Sequence, residues 1–206
     1  MLWRHGRTEW NAVGRFQGQT DVDLDDTGRG QADHAARMLA ALEPAAIVSS
    51  DLRRARDTAA ALARITHLDV TVDPGLRETY AGVWQGMTMA EIRARFPTDV
   101  AVWESGDVHF RPGGGETRPE VAARAVAALD KALVDVPEGA TLVAVTHGGA
   151  ARVAMCRLIG LPEDSWNALG GLSNCCWSVV AEQRRAWRLV EHNAGTLPTP
   201  VLTEEG

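Results

Sequence analysis

Leu142-Val143-Ala144-Val145 is an unbroken apolar run, and Thr146-His147-Gly148 separates it from a second apolar-rich stretch at 150–159. The short run suits a strand buried on both faces, and the longer stretch suits a helix packed back onto it. Strands of that kind belong to parallel sheets, whose connections are helices. The same pattern extends outward from this point. Residues 121–134 read as a helix before the strand. Nearer the start, Ala32, Ala35, Ala36, Leu39 and Leu42 recur at helical spacing over 28–42, and Ala45-Ala46-Ile47-Val48 reads as another buried strand. Alanine-rich 53–65 predicts a helix, β-branched Val70-Thr71-Val72 a strand, and 88–96 a short helix that stops before Pro97. Residues 176–180 and 187–190 read as late strands, the last at an edge. The alternation predicts an α/β fold, a three-layer α/β/α sandwich with a mostly parallel central sheet. Between the helices, 97–119, with Pro112 and Gly113-Gly114-Gly115, reads as a long loop or lid.

A chain of 206 residues with 45% hydrophobic content can bury one substantial core, and residues 1–206 are expected to form a single domain. The net charge of -6 argues against nucleic acid as a partner, because no basic stripe is present to neutralise a phosphate backbone. Cys156, Cys175 and Cys176 have neither a disulfide framework nor a zinc spacing, which points to reduced thiols. The most apolar stretch, 141–161, is interrupted by His147, Arg152 and Arg157 and does not read as a membrane span. With no signal-peptide pattern at the start, the expectation is a soluble, cytoplasmic protein without a membrane partner.

Two histidines occupy comparable places. His5 follows Leu2-Trp3, as His147 follows the apolar run at 142–145. Ligands of parallel sheets bind beyond the carboxyl ends of the strands. A histidine beside an arginine, on a turn that Gly6 opens to close approach, can attack a phosphorus atom while the guanidinium forks onto its oxygens. Other features have plainer readings. His147 taken alone suits a helix cap, Glu78 a solvated loop carboxylate, and Arg53, Arg54 and Arg56 one charged helix face. Asp21, Asp23 and Asp25 briefly resemble a calcium loop, but Asp26 stands where glycine is needed and Ala32 where glutamate is needed. Gly113-Gly114-Gly115-Glu116 is no phosphate-binding loop, since no Lys-Ser or Lys-Thr follows. His34, His67, His109 and His192 carry no motif. Trp84, Trp103, Trp166, Trp177 and Trp187 read as core or interface residues.

Arg4-His5-Gly6-Arg7-Thr8-Glu9-Trp10-Asn11 resembles the signature of the histidine phosphatase superfamily, in its phosphoglycerate mutase-like branch. Further segments match in order: 14–18 with Leu24 and Gly28, Ser50-Asp51-Leu52-Arg53-Arg54-Ala55 with Thr58-Ala59, Leu76-Arg77-Glu78 with Gly82, Trp84 and Gly86, and Thr146-His147-Gly148. Together they cover most of the chain. The resemblance implies the phosphoglycerate mutase-like fold and assigns His5 as the nucleophile that becomes phosphohistidine. It places Arg4, Arg54 and His147 around the phosphoryl group, Asn11 and Gln17 as further phosphate or substrate contacts, and Glu78 as proton donor. Such a donor must be protonated, which calls for burial or neighbouring negative charge. The scheme requires no metal and no cofactor.

A phosphatase and a mutase share this machinery and differ in whether water is admitted. Mutases of the family carry extra segments over the pocket; the short stretch between Glu78 and Gly113 favours hydrolysis. The segments 49–59, 76–88, 168–174 and 187–194 are most similar to actinobacterial phosphatases acting on a glycosylated phosphoglycerate. The expected substrate is therefore a small phosphorylated metabolite, hydrolysed by a metal-independent phosphatase. Phosphoglycerate mutase-type transfer is the alternative, and a non-catalytic binder of phosphorylated ligands is a third reading that retention of both histidines and Glu78 opposes. Specificity is expected in the loops around Trp84, 109–116 and the substrate contact Gly148. Relatives are often dimers, and the late Trp-bearing strands offer a surface for a homodimer. Only Met1-Leu2-Trp3 precede Arg4, short of the roughly 5 or 6 residues of an ordinary strand, so the expectation is that this strand is clipped or that the native start lies upstream.

Overall fold

The structure, a computed structural model, describes residues 1–195. Its strands are β1 (Leu2–Arg4), β2 (Ala46–Ser49), β3 (Val70–Val72), β4 (Leu142–Thr146), β5 (Trp177–Gln183) and β6 (Ala186–Ala194). They form one sheet in the order β3-β2-β4-β1-β5-β6. The first four in that order run parallel, while β5 lies antiparallel to β1 and β6 antiparallel to β5. The central place of β1 puts the residue after it beside the residue after β4, since Arg4 pairs with Thr146.

Alternation along these strands feeds two hydrophobic layers. Trp3, Ile47, Val143 and Val145 meet Ala32, Ala36 and Leu39 of α2 (Asp26–Ala40) and Ala55, Ala59 and Leu62 of α3 (Arg53–Thr66). On the other face, Leu2, Val48, Leu142 and Ala144 meet Ala125 and Leu129 of α6 (Arg118–Leu133) and Ala151, Ala154 and Met155 of α7 (Gly148–Leu158). Small alanines let the helices sit close to the sheet, and a fully enclosed side chain such as Leu39 contributes roughly 1.5–3 kcal/mol. The three-layer arrangement agrees with the sequence reading.

Two local expectations are corrected. The stretch 97–119 is not a continuous loop: it contains α5 (Pro97–Glu104) and a 3-10 turn at Pro112–Gly114. Pro97 ends α4 (Met89–Arg95) and also occupies the first turn of α5, where a missing N–H costs nothing. The late strands are also longer than their apolar cores suggest and join as a hairpin through Arg184 and Arg185, both at positive φ (53° and 62°). That geometry is usually signalled by Asn-Gly, which this turn lacks.

Candidate active site

The site begins where β1 ends. His5 leaves the strand with its N–H bonded to Thr146 O (3.0 Å), and Gly6 N–H donates to Thr58 Oγ1 (3.0 Å). A side chain on Gly6 would collide with the backbone of Gly28, so the turn requires glycine for its close approach to α2. The His5 ring lies 2.7 Å from Gly6 O through Nδ1. A carbonyl only accepts, so Nδ1 carries the proton and Nε2 carries the lone pair. Burial, then Arg54 and Arg4, push the His5 pKa well below its usual 6.5.

His147 follows β4, with its ring centroid 5.1 Å from that of His5. Arg54 Nε–H donates to His147 Nδ1 (3.2 Å), which leaves Nε2–H to donate to Ser50 Oγ (2.9 Å). Burial, then Arg54, His5 and Arg4, push its pKa well down as well. Arg54 is itself fully buried in the first turn of α3, turned inward while its neighbour Arg53 faces solvent and pairs with Asp21 and Asp23. Its guanidinium also donates to Thr20 O (2.8 Å) and Gly18 O (2.7 Å). Desolvation lowers its pKa to about 10, so the cation persists at neutral pH. Arg4, at the end of β1, is oriented by a hydrogen bond from Nη1 to Leu172 O.

The N-terminus of α7 is built unusually. His147 occupies the N-cap position without capping through its side chain. The carboxylate of Glu78 caps instead, accepting from Gly149 N–H (3.1 Å), Ala150 N–H (2.9 Å) and Thr79 N–H (2.8 Å). A helix N-terminus presents unpaired donors and partial positive charge, which suits a carboxylate. Half-buried Glu78 thus rests on N–H donors rather than in apolar surroundings, a departure from the burial or neighbouring negative charge expected around a protonated donor; a phosphoester bound in the cavity would itself bring that negative charge. Gly149 permits the approach, since a Cβ there would stand 2.8 Å from Glu78 Oε1. The loop behind Glu78 is held by Arg124, which donates to Gly75 O (2.8 Å), Arg77 O (2.6 Å) and Glu78 O (2.9 Å) and pairs with Glu116 (2.8 Å). Glu116 ends the Gly113-Gly114-Gly115-Glu116 stretch, and nothing in the local pattern announced Arg124 as its partner.

Thr8 organises the remaining polar wall. Its hydroxyl lies 3.1 Å from Asn11 Oδ1 and 3.0 Å from Gln17 Oε1, leaving the Gln17 amide NH2 as the group offered to a ligand. Asn174 Nδ2 ties His5 O (3.1 Å) to Asn11 Oδ1 (3.2 Å). Arg4, His5, Asn11, Gln17, Arg54 and Glu78 all line one cavity of about 520 Å3. His147 stands behind His5, outside the lining. Gly148 does not line the cavity either; it lies under Arg4, where a Cβ would be 3.3 Å from Nη1, and Gly149 takes the lining position. Trp84 is fully buried and its loop reaches the cavity only through neighbours, whereas Trp103 does line it. The lining also includes Trp10 of the signature and Phe110 of the 109–116 loop, together with Arg118 and Arg152, to which the sequence reading gave no role in the site.

Two histidines held neutral below their usual pKa make stability depend on pH with a definite sign. The unfolded chain binds protons near pH 6.5 and the folded chain does not, so stability is full above pH 6.5 and is lost as pH falls below it. Each histidine contributes a slope approaching about 1.4 kcal/mol per pH unit. The melting temperature is expected to drop between pH 6.5 and 5 and to drop less steeply in His147→Gln. An identical slope in that variant would show that His147 is not buried neutral.

The family described as the histidine phosphatase superfamily (branch 1) matches residues 1–195. The chain is 42% identical to a glucosyl-3-phosphoglycerate phosphatase of Mycolicibacterium vanbaalenii, over 94% of this chain and 93% of the relative. It is 33% identical to a probable phosphoglycerate mutase of Photorhabdus laumondii, over 98% and 96% of the two chains. A solved structure of a mycobacterial glucosyl-3-phosphoglycerate phosphatase complexed with VO3 superposes with a TM-score of 0.89 at 42% identity, covering 94% of this chain and 98% of that one.

Proposed function

The chain belongs to branch 1 of the histidine phosphatase superfamily, and on that premise we propose that it hydrolyses a phosphomonoester through a phosphohistidine on His5. The observation that carries this reading is the His5 Nδ1–H bond to Gly6 O, which leaves Nε2 as a lone pair in a cavity walled by Arg4 and Arg54. In the first step Nε2 attacks phosphorus, the P–O ester bond breaks, and Glu78 protonates the departing alkoxide. In the second, Glu78 takes a proton from water, the oxygen attacks phosphorus, and the P–N bond breaks to release phosphate. Arg4 and Arg54 stabilise charge on the equatorial oxygens, with Asn11 and the Gln17 amide as further donors. His147, behind His5 and outside the cavity lining, holds the Arg54 fork in register through its Nδ1.

The relatives' activity supports glucosyl-3-phosphoglycerate as the substrate. Residues 1–206 are read as one domain acting in the cytoplasm without a metal. The buried free thiols of Cys156, Cys175 and Cys176 favour a reducing compartment, and no helix among the described residues is long and apolar enough to cross a membrane. The open edge of β6 is the surface on which a homodimer would form.

Phosphate release measured across sugar phosphates, phosphoglycerates and glucosyl-3-phosphoglycerate tests the reading, with interconversion of phosphoglycerates followed in the same samples. Interconversion without net release would make the protein a mutase, and release from none would remove the phosphatase reading. A second expectation isolates Glu78. Glu78→Gln should lose roughly 10²–10⁴-fold on alkyl phosphates, whose leaving oxygen needs a proton. p-Nitrophenyl phosphate, whose leaving group departs as a stable anion, should lose less than about tenfold. Equal losses on both would refute the donor role.

A further inference from the structure

Gly149, Arg152 and Val153 of α7 all line the cavity, the spacing of a single helix face. Gly149 is the residue whose N–H holds Glu78. One turn further along, about 4.5 Å up the axis, Arg152 presents a guanidinium on that same face. Among the described residues it makes no hydrogen bond or ion pair, and its Nε is buried with no partner. Arg118 lines the same region, held by its bonds from Nη1 to Gly106 O (2.9 Å) and Asn167 Oδ1 (2.9 Å).

The charge count of the cavity is opposite to that of the protein. Arg4, Arg15, Arg54, Arg118 and Arg152 line it against Glu78, Asp107 and Glu116, five cations against three carboxylates. Two of those carboxylates are engaged, Glu116 by Arg124 and Glu78 by the end of α7. Arg4 and Arg54 serve the phosphoryl end, and Arg15 is paired with Glu91. Arg152 therefore remains beyond Glu78 as a lining cation with no partner among the described residues, in a wall that also holds the bonded Arg118 and Asp107.

Glu78 also sets a direction. If it protonates the leaving oxygen, the rest of the leaving group extends past Glu78 and along α7. We propose that Arg152, flanked by Arg118, is a carboxylate subsite that selects phosphoesters whose alcohol carries an acid group about two carbons from the ester oxygen. Such a group lies about 4 Å from that oxygen, comparable to the one-turn offset between Gly149 and Arg152. A guanidinium suits this because its fork matches a carboxylate bidentately. The inference rests on the phosphatase reading and on Glu78 as donor, and it adds the residue that tells phosphorylated hydroxy acids from neutral phosphoesters.

The test compares 3-phosphoglycerate with glycerol 3-phosphate, which replaces the carboxylate by a hydroxymethyl group. Wild-type enzyme should favour the acid by at least about tenfold in kcat/KM. Arg152→Gln should lose roughly 10–100-fold on 3-phosphoglycerate, mainly through KM, and less than about threefold on glycerol 3-phosphate, with Arg152→Lys recovering part of the loss. The neutral substrate doubles as the control for folding. Equal losses on both substrates would assign Arg152 to structure, and an unchanged preference would remove it from recognition. Wild-type release from both without preference, or from glucosyl-3-phosphoglycerate but neither of these two, would overturn the subsite alone, whereas release from none of the three would overturn the phosphatase reading beneath it.

Discussion

His5→Ala is expected to lower phosphate release by roughly 10⁴-fold or more and to abolish acid-labile labelling of the protein by a radiolabelled phosphoester. The size follows from what is removed: the covalent route disappears, while the cations and the cavity that bind substrate remain. The fold should survive, because the backbone bonds from His5 to Thr146 and from Gly6 to Thr58 do not use the imidazole. Substrate should still bind, so phosphate and vanadate ought to raise the melting temperature of the variant. Acid-labile label persisting in His5→Ala would place the nucleophile elsewhere, and His147, 5.1 Å away, would be the first residue to examine.

Arg54→Leu should lose about 10³-fold or more in kcat/KM and also destabilise the fold, a combination that His5→Ala should not show. Its guanidinium satisfies Gly18 O, Thr20 O and His147 Nδ1, all within one buried region. Truncation leaves these acceptors unpaired, at about 1–3 kcal/mol each, offset in part by removing a buried cation from beside Arg4. A net loss of roughly 3 kcal/mol would lower the melting temperature by about 6–12 °C in a chain of this size. Arg54→Lys should recover little, since an ammonium cannot reach three acceptors in one plane. If Arg54→Lys melts and turns over like wild type, the fork geometry carries no special function and only the charge matters.

The two variants separate the chemistry from the scaffold, and they also show how unevenly the chain disclosed itself. Strand-helix alternation was legible because apolar runs such as 142–145 and the alanine spacing of α2 arise from neighbours in sequence. The irregular region was less legible. α5 lay hidden behind a proline that both ends one helix and begins the next, and the β5-β6 turn used two arginines in a conformation normally signalled by glycine. Among site residues, the resemblance pointed at Arg54 over Arg53, and the geometry agrees on which side chain turns inward. It pointed at Gly148, whereas Gly149 lines the cavity beside Glu78. Arg124, Arg152 and Asn174 had no motif of their own, because their significance lies in partners 46 to 169 residues away, or, for Arg152, in the lack of one among the described residues.

Sequence alone determined the layer architecture, the histidines at the carboxyl ends of two strands and the kind of chemistry those residue types can perform. These follow from periodicity and side-chain identity, which are local properties. Tertiary structure decided the states that make the residues usable. It set which nitrogen of His5 keeps its proton and which carbonyls hold Arg54 in place. It also seated Glu78 on the N-terminus of a helix some 70 residues away, and left Arg152 in the cavity wall without a partner among the described residues. Each of these is a matter of donor and acceptor placement between distant segments, and such placement exists only once the sheet has brought the ends of β1 and β4 side by side.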